Sequence, residues 1–212
     1  MSKRSFSEAL FEEFCSTHGV PCEPIPAELV RTPDFAIRLG AARVVCEIKQ
    51  IDPNAEDLAE LNEVNSGNAT GRFVPNRLRS KLKNVSGQLK AACLSGFPTL
   101  LVVYDNTPFK MYSLHFDVVQ ALFGAHSVLV TVPKQPAGET MVSEPFFVGN
   151  RGLTPHQNTS VSAVAILDGG PRSERSLRVY HNPYAMVVLR PELLHTLAVQ
   201  QCVLPGATTV TL

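Results

Sequence analysis

The chain is 212 residues long and carries 19 basic and 19 acidic side chains, so its formal net charge is zero; 44% of its residues are hydrophobic and 7% aromatic. That length and apolar content suffice for a buried core without staples, and the neutral balance argues against a protein that coats nucleic acid through bulk positive charge. Its 5 cysteines (Cys15, Cys22, Cys46, Cys93 and Cys202) are odd in number and lack zinc-like spacing, which, with no apolar run near the ~20 residues of a membrane helix, predicts a soluble, cytoplasmic chain with reduced thiols and no membrane partner.

Ser5 to Thr17 reads as a helix: Phe6, Leu10 and Phe14 recur every fourth residue, Ser5 and Glu8 have capping-box spacing, and His18-Gly19 closes it. Pro21, Pro24 and Pro26 confine Val20 to Val30 to an extended edge segment. Asp34 to Leu39 and Ala42 to Ile51 predict a hairpin turning at Gly40. Asp52 to Glu63 predicts a short helix, and Asn65 to Gly71 has loop composition, placed to close over a substrate. Asn76 to Cys93 predicts a long helix with Leu78, Leu82, Val85 and Leu89 on one stripe and Arg77, Lys81, Asn84 and Gln88 on the next. Gly87 inside that helix predicts close approach of another backbone.

Thr99 to Tyr104 is the unbroken apolar run of a buried central strand. A helix at Leu114 to Phe123, a short strand at Val128 to Val132, a loop-rich stretch from Pro133 to Thr159, strands at Val161 to Leu167 and Leu177 to His181, and a late helix at Pro191 to Gln200 complete the pattern. The order of elements describes an α/β fold in which a mixed sheet carries helices packed on it. One domain over residues 1-212 is expected, with a core at 1-130 and a C-terminal elaboration of extra strands and a helix at 131-212.

Charges inside the Val- and Ile-rich strand Ala42 to Ile51 call for a reason. Alternation places Glu47 and Lys49 on one face, with Cys46 and Ile48 on the other. The hairpin lays Glu47 beside Asp34, so two carboxylates and an ammonium converge; that composition suits a divalent ion and an activated water. Charge is also segregated along the chain. Asp52, Glu56, Asp57, Glu60 and Glu63 form an acidic block, whereas Arg72, Arg77, Arg79, Lys81, Lys83 and Lys90 come after it with no acidic residue between Asn65 and Tyr104. Such a segment suits an element that contacts phosphates, and it also reads as a solvated helix face.

Pro33-Asp34 opening a hairpin, Glu47-Ile48-Lys49 on the next strand, Glu8 in the first helix, and the Gln88 helix leading to the Thr99 strand together resemble the PD-(D/E)XK nuclease superfamily. Over the first half, the spacing is most similar to the archaeal Holliday-junction resolvases. The resemblance implies a restriction-endonuclease-like αβββαβ core and hydrolysis of DNA phosphodiester bonds with Mg2+, which Mn2+ replaces. It implies that Asp34 and Glu47 hold the metal with the backbone carbonyl of Ile48, that Lys49 orients or deprotonates the attacking water, that Glu8 assists the metal or its waters, and that Gln88 reaches the site. Arg72, Arg77, Arg79, Lys81 and Lys83 are the expected DNA contacts, and a homodimer would supply two sites for cutting both strands.

Structural readings stand beside these. Glu8 also completes a capping box, Glu12 is the other first-helix glutamate that fits, and Glu47 and Lys49 also suit cross-strand ion pairs. The compact resolvases end soon after the strand matching Thr99 to Tyr104, whereas this chain continues well beyond it. A non-catalytic nucleic-acid-binding or interaction module on the same fold is the alternative function, and a hydrolase of another phosphate ester ranks last because no phosphate-cradling glycine loop is present.

Overall fold

The computed structural model describes residues 4–26, 32–69, 76–133, 139–169, 175–195, 197 and 199–203. The first helix, α1 (Phe6–Thr17), starts at Ser5 with a complete capping box: the Glu8 N–H donates to Ser5 Oγ at 3.3 Å, and the Ser5 N–H donates to Glu8 Oε2 at 3.2 Å. Gly19, at φ +64°, reverses the chain into β1 (Cys22–Pro24). β2 (Phe35–Leu39) and β3 (Ala42–Ile51) form the expected hairpin around Gly40, whose φ of +60° favours glycine. Two helices, α2 (Ala55–Asn65) and α3 (Asn76–Leu94), lead to β4 (Thr99–Asp105), which is buried along its whole length. Then come α4 (His115–Phe123), the short strands β5 (Ala125–Ser127), β6 (Val130–Thr131), β7 (Met141–Val142) and β8 (Phe146–Val148), and finally β9 (Ala163–Asp168), β10 (Ser176–His181) and β11 (Gln200–Cys202).

Seven of these strands make one mixed sheet in the order β1-β2-β3-β4-β9-β10-β11. β1, β2 and β3 are antiparallel, whereas β3, β4 and β9 run parallel. Alternation gives the sheet two apolar faces. Phe35, Ile37, Val44, Cys46 and Ile48 pack under Leu10, Phe11 and Phe14 of α1, and Val45, Leu101, Val103 and Ile166 pack under Leu78, Leu82, Val85 and Leu89 of α3 and Val118 and Leu122 of α4. Each fully buried leucine contributes roughly 1.5–3 kcal/mol, so the α3 stripe outweighs the weak helix propensity of its Ser86-Gly87 step.

The two strands of the hairpin differ in length. β2 pairing ends at Phe35↔Cys46, yet β3 runs on to Ile51. The last residues of β3 therefore have β4 on one side and no described strand on the other, which leaves a notch in the sheet beside Asp34.

Three expectations need correction. The late helix is a single 3-10 turn at Pro191–Leu194, because Leu194 reaches the core within that turn, Leu197 reaches it just beyond, and the chain then adds Gln200–Cys202 as a parallel edge strand on β10. The stretch from Pro133 to Thr159 contributes two short strands, β7 and β8, which pair with β6 and β5 before it, and the strand expected at Val128 to Val132 shrinks to Val130–Thr131. Among the described residues no backbone approaches Gly87, where an added Cβ would meet no atom within 4 Å. Close approaches fall instead at Gly124, where a Cβ would overlap the Val148 carbonyl oxygen, and at Gly152, where one would stand 2.8 Å from both the Ala121 carbonyl oxygen and Leu82 Cδ2.

Candidate active site at the end of β2

Asp34 sits at the bend where β2 begins. Its N–H donates to the Cys46 carbonyl at 3.1 Å, and its Oδ2 accepts the Ile48 N–H at 2.7 Å. The side chain thereby replaces the missing strand along the open edge of β3. The backbone groups of one residue in an antiparallel ladder face the same neighbour, so the Ile48 carbonyl points to this edge too. Burial, the largest influence, raises the pKa of Asp34; the Ile48 N–H and Lys49 act against it, and the nearby charge of Glu8 adds to it.

Glu47 lies directly across from Asp34 in the continued register and is wholly buried, with Lys49 on the same face. Its Oε1 accepts from the Lys49 ammonium, whereas Oε2 is buried without a hydrogen-bond partner. Burial pushes the ionisation of Glu47 up to about 7, Lys49 opposes that shift, and the charge of Asp34 reinforces it. The Gln88 amide, reaching in from α3, also favours the ionised form. It stops short of hydrogen-bond geometry, as the unpartnered Oε2 shows. A buried acceptor left unsatisfied costs roughly 1–3 kcal/mol.

The structure thus brings Asp34, Glu47, Lys49 and Gln88 together, with the Ile48 backbone at the rim. Glu8 is close enough to raise the Asp34 pKa while it caps α1. Glu12 pairs with Arg4 at 2.5 Å, so of the two glutamates Glu8 is the one that faces the notch electrostatically. Lys81 joins from α3: burial, then the charges of Lys49 and Arg77, lower its pKa, and Asp52 opposes them. Asp52 was outside the sequence-derived set. Hydrogen bonds from Gln50 and Asn106 hold its pKa low, and its position just past the Glu47-Ile48-Lys49 strand is the signal that would have found it.

The remaining basic residues divide. Arg77 binds Asp57 Oδ2 at 2.7 Å and the Asp52 carbonyl, with its guanidinium 4.9 Å from the Tyr112 ring centroid. Arg79 donates to the Asn150 carbonyl at 2.8 Å. Both are engaged within the fold. Lys83 is exposed on the outer side of α3, and Arg72 lies outside the described residues.

Among the described residues no group of three or more His, Cys, Asp and Glu gathers closely enough to hold a metal. An ion at the notch would rest on two carboxylates, a backbone oxygen and water. Those are hard oxygen donors of the kind Mg2+ accepts while keeping several waters, and the orphaned Glu47 Oε2 fits such a ligand. No protein-family model, no curated protein and no solved structure matches the chain.

Proposed function

We propose that the chain is a magnesium-dependent endonuclease that hydrolyses DNA phosphodiester bonds, in repair, recombination or defence against foreign DNA, on a restriction-endonuclease-like scaffold of the PD-(D/E)XK type. The order α1-β1-β2-β3-α2-α3-β4, with β1 to β3 antiparallel and β4 parallel to β3, supports this reading because, apart from the added helix α2, it follows the order of an αβββαβ core. The observation that carries it is Glu47: a wholly buried carboxylate with one oxygen unpartnered, opposite Asp34 and beside Lys49. A binding module gains nothing from that arrangement.

Asp34, Glu47 and the Ile48 carbonyl would hold Mg2+, or Mn2+ in its place, with Glu8 in reach of the ion's waters. When bound, the ion makes a coordinated water more acidic and offsets charge developing on the phosphate. Lys49 stays on the Glu47 face with its ammonium partly exposed, placed to hold the attacking water and to stabilise the nonbridging oxygens. Lys81 adds a second cation on the α3 side, and Gln88 favours the ionised form of Glu47.

The test is cleavage of supercoiled or branched DNA in Mg2+ by purified protein. Asp34→Asn and Lys49→Met are each expected to lower the rate by roughly 10³-fold while circular dichroism stays unchanged. Undiminished cleavage by the double variant would sink the assignment.

A further inference from the structure

Gly87 stands mid-helix, where glycine is less favourable than alanine, and nothing inside the molecule uses the space it leaves: a Cβ there would meet no atom within 4 Å. α3 advances about 100° per residue, which divides it into sectors. Leu78, Leu82, Val85 and Leu89 lie against the sheet, and Arg77, Lys81 and Gln88 share the flank facing the notch. Opposite the apolar sector runs an exposed crest of Ser80, Lys83, Asn84, Gly87 and Ala91, with no acidic residue in it. On the far flank, Gly87, Lys90 and Leu94 form one wall of a groove of about 390 Å³ that faces Asn158, Thr159 and Met186 and has no carboxylate in its lining. The Ser160 hydroxyl donates to the Ser86 carbonyl at 3.0 Å, fixing one wall against the other.

An extended strand running from the notch to this groove crosses the crest at Gly87, between Lys83 four residues earlier and Lys90 three residues later. A side chain there would hold the strand away from the helix, and the two lysines complement a polyanion. Resting on the nuclease reading, we infer that the α3 crest at Gly87 and the groove beyond it hold the sugar-phosphate backbone of DNA adjoining the cleaved bond, with Lys83 and Lys90 contacting phosphates.

The experiment measures binding of a fluorescent DNA duplex by anisotropy without Mg2+, for wild type, Gly87→Ala, Gly87→Gln and Lys90→Gln, with thermal melts alongside. Alanine and glutamine are better helix formers than glycine, so both Gly87 variants should melt at a higher temperature than wild type. Affinity is nonetheless expected to fall about tenfold for Gly87→Gln and less for Gly87→Ala, while Lys90→Gln lowers the slope of log affinity against log salt by about 0.9. A Gly87→Gln protein that melts higher and binds at wild-type affinity would overturn the groove. If Asp34→Asn then still abolishes cleavage, the nuclease reading survives that result. A wild-type protein that binds no duplex removes both.

Discussion

Two buried polar clusters involve residues of α3, and they differ in how completely they are satisfied. In the first, Asp57 accepts from the Asn54 N–H, Arg77 and the Tyr112 hydroxyl. Nearby, Asp105 accepts from the Thr107 N–H and hydroxyl and from the Tyr112 N–H. Both carboxylates are almost fully buried, and each has both of its oxygens bonded. In the second, Glu47 is equally buried but keeps one oxygen unpartnered, and its ionisation is pushed up to about 7. The first cluster ties α2, α3 and β4 together. The second leaves one buried carboxylate oxygen without a partner, so the two clusters bury the same functional group with different degrees of satisfaction.

Removing a partner should therefore have opposite consequences in the two places. Asp57→Ala strands Arg77 without its counter-charge, and stability is expected to fall by about 3 kcal/mol, which lowers the melting temperature by roughly 6–12 °C for a chain of this size. A loss below about 1 kcal/mol would erase the contrast. Glu47→Gln should act the other way: at pH 8 it removes a buried charge and raises the stability of the metal-free protein, by up to about 3 kcal/mol, while Mg2+-dependent cleavage disappears. Destabilisation at pH 8 would show that Glu47 belongs with the architectural group.

Glu47 also contributes a pH dependence of stability. The folded-state pKa of Glu47 lies near 7 against an ordinary value of 4.5, so between those values the folded chain retains a proton that the unfolded chain releases. Stability of the metal-free protein should thus decline as pH rises from about 4.5 to about 7 and level off above. Mg2+ should restore it at high pH, because the ion binds the ionised carboxylate. Melts at several pH values with and without Mg2+ read this directly, and a Glu47→Gln protein that keeps the full decline would place its origin elsewhere. The smallest expected effect is Gln88→Ala: about tenfold in cleavage rate with the melting temperature nearly unchanged, since the amide tunes Glu47 without bonding to it.

Much of the site was legible because it is local. Strand alternation put Glu47 and Lys49 on one face, the Gly40 hairpin set them against Asp34, and the spacing of Ser5 and Glu8 gave the cap. The run from Thr99 to Tyr104 marked the sheet's centre in the same way. What the sequence could not reveal was the destination of long side chains. Arg77, Arg79 and Lys81 share one basic stretch, yet Arg77 turns to Asp57, Arg79 to the Asn150 carbonyl, and only Lys81 to the notch. Nor did it reveal that the space at Gly87 is open while Gly124 and Gly152 are crowded.

Sequence by itself determined the elements and their faces, because helix and strand periodicities and caps depend on neighbours a few residues away. Tertiary structure alone decided which strand would end early and open the notch, that the expected Pro191 to Gln200 helix would shorten to one 3-10 turn with an edge strand at Gln200–Cys202, and which carboxylate would be left one partner short. Those outcomes depend on groups distant in sequence competing for the same buried space and the same hydrogen bonds, and no local spacing records who wins.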